Sequence, residues 1–141
     1  MSKFGNIEPK DIWMYFEEIL TIPRPSKKET AIIKYLQDFA AKRNLAVKTD
    51  EAGNVLISKP AYPGYENLQP VVLQSHMDMV CEKNSDVTHN FNTDPIEAYI
   101  DGEWIKAKGT TLGADDGIGI AAQLALLASK EIKHGPLECL F

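Results

Sequence analysis

Two short segments of this chain contain side chains whose types and spacing suit metal chemistry. The first, residues 75–78, reads Ser-His-Met-Asp and directly follows a short apolar run. The neutral imidazole of His76 is a good ligand type for zinc and similar divalent ions. A carboxylate such as Asp78 can hold the ring and fix which nitrogen faces the metal. Alone, however, a His-x-Asp sequence is a weak signal, because half-buried surface pairs of this kind are common.

The second segment, residues 113–119, reads Gly-Ala-Asp-Asp-Gly-Ile-Gly and precedes a long apolar stretch. The adjacent carboxylates Asp115 and Asp116 repel each other unless a cation or a helix N-terminus compensates. The pair therefore suits a metal ligand, a helix-capping aspartate or a single structural cation held by both side chains. A phosphate-binding glycine loop is disfavoured, because two aspartates oppose an anion where such a loop presents bare N–H groups.

Together the two segments are a stronger signal than either alone. His76 supplies an imidazole and Asp115 supplies a carboxylate that is able to bridge two ions. These are half of the ligand set of a two-metal hydrolase, in which the metals activate a water molecule. The combination requires that the two side chains meet at the carboxyl end of a strand, where ligand sites in open α/β sheets are found.

Apolar spacing predicts three helices that must position these residues. The first covers residues 9–21, with Pro9 suited to its first position, and it ends before Pro23. Residues 26–29 read as a capping box, Ser-Lys-Lys-Glu, before a second helix that extends to about residue 43. The third, residues 117–130, is apolar almost all round, so we expect it to be buried on more than one side.

Strand signals alternate with these helices. Residues 46–49 and 54–58 predict a hairpin that turns at Gly53, and residues 97–100 and 103–106 predict a second hairpin. Continuous apolar runs at residues 71–74 and 137–141 are typical of strands buried on both faces. The chain is therefore predicted to be α/β, with a mixed sheet and flanking helices.

Composition and charge disfavour several classes of protein. The chain has 141 residues, with 20 acidic and 15 basic side chains and a net charge of −5, so we expect no nucleic-acid partner. No apolar run approaches the roughly 20 residues of a membrane span, and the N-terminus lacks the apolar core of a signal peptide. With two cysteines, the chain is expected to be a cytoplasmic protein with reduced thiols.

The remaining candidate side chains favour structural roles. We expect His89 to lie on the surface and His134 to lie near the end of the third helix. Cys81 has no evident basic partner, so a packed thiol is expected rather than a nucleophile. Met77 and Met79 alternate with the first motif and are expected to face the core.

Two longer strings are similar to a known enzyme family. Residues 76–84 (His-Met-Asp-Met-Val-Cys-Glu-Lys-Asn) and 109–117 (Gly-Thr-Thr-Leu-Gly-Ala-Asp-Asp-Gly) closely resemble the aminoacyl-histidine dipeptidases, which are M20 metallopeptidases. Residues 22–26 and 53–55 resemble the same family, so the similarity covers nearly the whole chain. The first string favours this branch over tripeptidase or carboxypeptidase relatives.

The resemblance implies a two-metal dipeptidase that hydrolyses Xaa-His dipeptides with a metal-activated water. By the resemblance, His76 binds one metal, Asp115 bridges two, and Asp78 orients the His76 ring as a catalytic residue. Zinc is the first expectation for the two divalent ions, with cobalt or manganese also suited to a carboxylate-rich site. The resemblance further implies a cis peptide bond between Asp115 and Asp116.

In the family, a strand like residues 137–141 continues to an adjacent pair of glutamates, a general base and a metal ligand. A further carboxylate, a distant histidine and an inserted lid domain with homodimer contacts complete the enzyme. We therefore expect residues 1–141 to be the N-terminal part of a catalytic domain, inactive on its own. The alternative is a non-catalytic α/β interaction domain that keeps a partial metal site.

Overall fold

The computed structural model describes residues 3–141. These residues form three helices and six strands in the order of an α/β fold, which confirms the predicted class. The helices are α1 (Lys10–Leu20), α2 (Thr30–Lys42) and α3 (Ala114–Ala128). The strands are β1 (Ala46–Thr49), β2 (Val55–Lys59), β3 (Val71–Gln74), β4 (Ala98–Asp101), β5 (Trp104–Ala107) and β6 (Leu137–Leu140).

Four strands form a mixed sheet in the order β1-β2-β6-β3. The predicted β1–β2 hairpin is present, and β2 also pairs antiparallel with β6. β6 in turn runs parallel to β3, so that Cys139 lies opposite both Ile57 and Leu73. β4 and β5 form the second predicted hairpin, which is a separate two-stranded sheet. The parallel β3–β6 pair is the part of the sheet that positions the candidate site.

One apolar core joins the helices to one side of the sheet. α1 packs against α3, and α2 packs against β1 and β2. The predicted apolar stripes of α1 and α2 are buried. The core side chains of the sheet are Val55, Ile57, Cys139 and Phe141. Within residues 3–141, no helix has the length and apolar character needed to cross a membrane.

The predicted burial of β3 on both faces is wrong. Val71 and Val72 are 49% and 58% exposed, because β3 lies at the edge of the four-stranded sheet. A continuous apolar run identifies a strand, but strand order decides whether that strand is central. β6 takes the central position instead, with Leu137 and Cys139 buried.

The predicted capping box is also wrong. α2 begins at Thr30 and has no side-chain hydrogen bond at its N-cap. The Ser26 hydroxyl donates to the Asp78 carboxylate at 2.5 Å, and the Glu29 carboxylate accepts from the Lys27 N–H at 2.6 Å. A tertiary contact with the candidate site therefore replaces the local capping bond that the sequence pattern favoured.

Candidate metal centre

His76 lies between two carboxylates at the carboxyl end of β3. Its Nε2 atom is 2.9 Å from Oδ1 of Asp115, and its Nδ1 atom is 3.0 Å from Oδ1 of Asp78. The three residues that the sequence singled out are thus brought together, although 39 positions separate His76 from Asp115. Their roles toward a metal remain a prediction.

The segment after β3 places His76 and Asp78 at the surface by burying its methionines. Residues 75–78 do not continue the strand, so strand alternation is not what joins the two side chains. Met77 and Met79 are 8% and 4% exposed, as predicted, and anchor the segment in the core. His76 and Asp78 are left facing outward, where the carboxylate folds back onto the ring.

The start of α3 gives Asp115 and Asp116 different partners. Both residues have non-helical backbone angles, and the peptide bond between them is cis, as the resemblance implies. The side chain of Asp115 is 96% exposed and contacts His76. The Asp116 carboxylate accepts a hydrogen bond from the Gly119 N–H at 3.1 Å. Asp116 therefore stabilises the first turn of the helix, whereas Asp115 is directed toward the imidazole.

The surrounding charges favour a cation at His76. The hydrogen bond to Asp115 raises the pKa of His76, and Asp78 acts in the same direction, while partial burial opposes both. The Ser26 hydroxyl, followed by His76, holds the pKa of Asp78 below its ordinary value. In the metal-free chain these shifts favour a proton on Nε2, shared with Asp115.

The donor atoms fit a divalent metal only in part. A nitrogen and an oxygen that bind one tetrahedral zinc ion lie about 3.3 Å apart, given bond lengths near 2 Å. His76 Nε2 and Asp115 Oδ1 are 2.9 Å apart, so a small opening suffices. No group of three or more His, Cys, Asp or Glu side chains within residues 3–141 is arranged to hold a metal. Other ligands are therefore needed for firm binding.

A cleft adjoins the candidate centre. It has a volume of ≈ 400 Å³, and its lining includes His76, Asp78, the Gly53–Asn54 turn and Phe141. This volume falls within the range of small-molecule sites in proteins. A ligand in the cleft would therefore lie beside the imidazole and the Asp78 carboxylate.

Sequence reasoning missed Arg24, although the residue lies in a segment that carries the family resemblance. Its side chain is 1% exposed. The guanidinium donates to the carbonyl oxygens of Met77, Asp78 and Gly113, at 3.1, 3.2 and 2.6 Å. The only signal in the sequence was an arginine between two prolines, which does not reveal these partners.

The contacts of the other candidate residues mostly favour structural roles. His89 was expected on the surface but is half-buried against Phe91, and its Nε2 has no hydrogen-bond partner in the described part of the chain. His134 Nδ1 is 2.6 Å from the Gly135 carbonyl oxygen, and Lys59 instead binds the end of α3. Burial raises the pKa of Cys81, which fits the predicted packed thiol.

Comparison with known proteins places the chain beside peptidases. No family model matches it. Over 140 residues it is 51% identical to the cytosol non-specific dipeptidase of Escherichia coli. The aligned residues are 99% of this chain and 29% of that protein. The crystal structure of aminoacylhistidine dipeptidase from Vibrio alginolyticus is 54% identical, with a TM-score of 0.94, over 99% of this chain and 29% of that one.

Two further solved structures share the fold at lower identity. A tripeptidase from Staphylococcus aureus has a TM-score of 0.74, and the match covers 96% of this chain and 36% of the tripeptidase. Aminopeptidase PepT from Bacillus cereus has a TM-score of 0.75, and the match covers 95% of this chain and 36% of the aminopeptidase. Both are 25% identical to this chain. The predicted resemblance to aminoacyl-histidine dipeptidases is confirmed. The chain spans less than a third of the length of the two more similar proteins.

Proposed function

We propose that this chain is part of a metal-dependent dipeptidase that hydrolyses Xaa-His dipeptides in the cytoplasm. The observation that carries the proposal is the 2.9 Å approach of His76 Nε2 to Asp115 Oδ1. It occurs in a chain that is 54% identical to a solved aminoacylhistidine dipeptidase. The similarity to the cytosol non-specific dipeptidase of Escherichia coli supports both the reaction class and the compartment.

We assign His76 and Asp115 as ligands of two divalent ions, with Asp115 as the bridging carboxylate. Zinc is the first candidate, and cobalt or manganese also suit this mixture of imidazole and carboxylate. Such ions would supply Lewis acidity and lower the pKa of a bound water. We assign no residue of this chain as a further metal ligand or as the general base.

Ser26, Asp78 and His76 form a hydrogen-bonded chain that controls the imidazole. Ser26 Oγ donates to Asp78 Oδ2, which leaves Oδ1 of the same carboxylate facing His76 Nδ1. Because Asp78 holds a proton on Nδ1, loss of the Nε2 proton would free the Nε2 lone pair on the side of Asp115. This is the tautomer that a ligating histidine needs, and an outer carboxylate commonly imposes it.

The different partners of Asp115 and Asp116 weigh against a single cation held by that pair. Asp115 faces His76, whereas Asp116 is engaged by the Gly119 N–H. A non-catalytic interaction domain remains the alternative function, and it predicts the same fold without turnover. For the longer protein we propose a dipeptide substrate, homodimer assembly and no nucleic-acid partner, with residues 1–141 as the N-terminal part of the catalytic domain.

A chimera tests this function. The matching segment of the Vibrio alginolyticus aminoacylhistidine dipeptidase is replaced by this chain, and hydrolysis of a Xaa-His dipeptide is measured. We expect chelator-sensitive turnover that His76→Ala or Asp115→Asn reduces to background. Asp78→Asn is expected to lower kcat/KM by about 10- to 100-fold, because it removes only the outer partner of a ligand. Asp86→Asn, at an exposed position, is the matched control.

Two results would contradict the proposal. A folded chimera without activity, beside an active parent enzyme, would favour the non-catalytic domain. Full activity of the His76→Ala chimera would contradict the assignment of His76 as a metal ligand.

A further inference from the structure

Arg24 lies between the two segments that carry the candidate site. Nη1 donates to the carbonyl oxygens of Met77 and Asp78, and Nη2 donates to the carbonyl oxygen of Gly113. Met77 and Asp78 directly follow His76, and Gly113 lies two residues before Asp115. One planar group therefore links the backbone on both sides of the His76–Asp115 contact.

Packing alone does not account for an arginine at this position. The side chain is 1% exposed, and no carboxylate in residues 3–141 lies within ion-pair distance of it. Burying a charged group costs several kcal/mol, and an apolar side chain of similar volume would avoid that cost. Burial lowers the pKa of Arg24, and the nearby charge of Asp78 acts in the opposite direction. The guanidinium differs from an apolar side chain in its rigid fork of donors, and this fork binds three carbonyls.

The glycines that flank the two aspartates make room for this fork. A Cβ atom on Gly113 would lie 2.6 Å from Arg24 Nη2, and one on Gly117 would lie 2.8 Å from the same atom. Gly113 also has a left-handed φ of 72°. The same Cβ atoms would also lie 2.9 Å from the Met79 sulfur and 3.1 Å from the Phe16 ring, so Arg24 is the nearest of the groups that leave no room for a side chain at these positions.

The backbone around Arg24 is held against the same segment. The Met79 N–H donates to the Arg24 carbonyl at 3.1 Å, and Pro25 forms an isolated parallel bridge with Met79. Pro23 and Pro25 fix their own φ angles and restrict the residues before them. Arg24 thus extends from a stiff, anchored backbone, so its guanidinium has little freedom to follow a shift of either segment.

We propose that Arg24 is a positioning residue that sets the separation of His76 from Asp115, with Gly113 and Gly117 providing the space for its guanidinium. It acts through the carbonyls of residues 77, 78 and 113 and touches neither side chain of the metal centre. The inference rests on the proposed function, because the separation of His76 from Asp115 matters only if both bind metal. The contacts of Arg24 themselves are present in the metal-free chain.

The test compares two arginine-to-lysine variants of the full 141-residue chain. Arg24→Lys keeps the positive charge but loses the fork that reaches both segments. Arg43→Lys is the matched control, because Arg43 lies 3.8 Å from the Phe39 ring centre and donates to the Tyr15 hydroxyl, in a different part of the fold. Nuclear Overhauser contacts between the His76 ring and Asp115 are measured without metal. The Co²⁺ concentration that broadens the His76 ring signals is then measured for each variant.

We expect both variants to lower the melting temperature, but only Arg24→Lys to lose the His76–Asp115 contact. That variant should also need about tenfold or more Co²⁺ to broaden the His76 signals, the usual scale for losing an outer partner. Gly117→Ala, which crowds the guanidinium and leaves Arg24 in place, should reproduce both effects. It provides the same test should Arg24→Lys fail to fold.

Retention of the His76–Asp115 contact in Arg24→Lys, with a Co²⁺ response like that of Arg43→Lys, would overturn the proposal and leave Arg24 a core residue. A folded wild-type chimera without dipeptidase activity, in which the His76–Asp115 contact is intact, would count against the proposed function instead. The contact measured without metal would still decide the role of Arg24.

Discussion

At the scale of single residues, the protonation state of His76 controls what the site can bind. Each ring nitrogen faces a carboxylate, Nδ1 toward Asp78 and Nε2 toward Asp115. A proton on Nε2 occupies the lone pair that a metal ligand needs, so protons and metal ions compete for this atom. The two carboxylates, one proposed to bind the metal and one to orient the ring, therefore also stabilise the imidazolium.

The first prediction concerns the titration of His76 in the metal-free chain. We expect its pKa to lie above the ordinary value for histidine, because the hydrogen bond to Asp115 favours the protonated ring. Asp115→Asn should lower this pKa, as measured by NMR titration of the ring protons. Asp101→Asn removes an exposed carboxylate that pairs with Lys106, and it should leave His76 unchanged. An unaltered His76 pKa in Asp115→Asn would contradict the pairing.

The second prediction is the pH dependence of stability that follows from this shift. Because the folded state raises the pKa of His76, its contribution to stability is fully present below the unfolded value of about 6.5 and is lost as pH rises through the folded pKa. Asp115→Asn should therefore cost more stability at about pH 5.5 than at about pH 8, in urea unfolding. An equal cost at both values would mean that the positive charge on His76 adds nothing to the stabilisation from this pair.

The residue scale also shows why the sequence predicted some of the site and missed the rest. His76, Asp78 and Asp115 were recognisable because their own functional groups suit the proposed chemistry. Arg24 was not, because its partners are backbone carbonyls 53 to 89 positions away, and any residue type supplies a carbonyl. Such a contact depends on the tertiary fold and leaves no side-chain pattern in the sequence.

At the scale of elements, α3 is held at both ends by other parts of the chain. Its first turn lies against Arg24, through the Gly113 carbonyl. At its other end, the Lys59 ammonium, which extends from β2, donates to the carbonyls of Leu126 and Ser129 at 2.8 and 2.5 Å. A positive charge at a helix C-terminus also complements the helix dipole. Lys59 therefore ties the helix that carries Asp115 to the sheet.

The third prediction is that Lys59→Met destabilises the chain by about 1 to 2 kcal/mol, since two helix-end carbonyls lose a charged donor. Methionine retains most of the apolar stem, so the loss reports on the donor. Guanidinium unfolding measures the change, and Lys48→Met at an exposed position of β1 is the matched control. Equal stability of the two variants would show that Lys59 contributes no more than a surface lysine.

The sequence predicted the helices and hairpins that depend on local pattern. The predictions that depend on strand order or on tertiary contacts were wrong. α1 and α2 followed from apolar spacing, and both hairpins followed from their turns. The burial of β3 did not follow, because its edge position depends on β6, which is more than 60 residues away and lies between β3 and β2. The capping box failed for a similar reason, since the Ser26 hydroxyl binds Asp78 rather than its own helix.

At the scale of the whole molecule, the fold brings two metal donors together but supplies no third. Residues 3–141 contain no cluster of three ligand-type side chains, and Asp116 and Asp78 are engaged by Gly119 and Ser26. The chain spans 29% of the length of the Escherichia coli and Vibrio alginolyticus dipeptidases to which it is similar. The proposed activity therefore needs donors that the described residues do not provide.

The last prediction is that the 141-residue chain alone, supplied with Zn²⁺, releases no histidine from a Xaa-His dipeptide above a metal-only blank. Zinc in hydrolases is commonly held by three protein ligands and needs a general base nearby, whereas His76 and Asp115 are two donors, with Asp115 96% exposed. Release of histidine is followed by chromatography, with the active chimera as the positive control. Turnover that both a chelator and His76→Ala abolish would contradict the prediction, because it would require a complete catalytic centre within these residues.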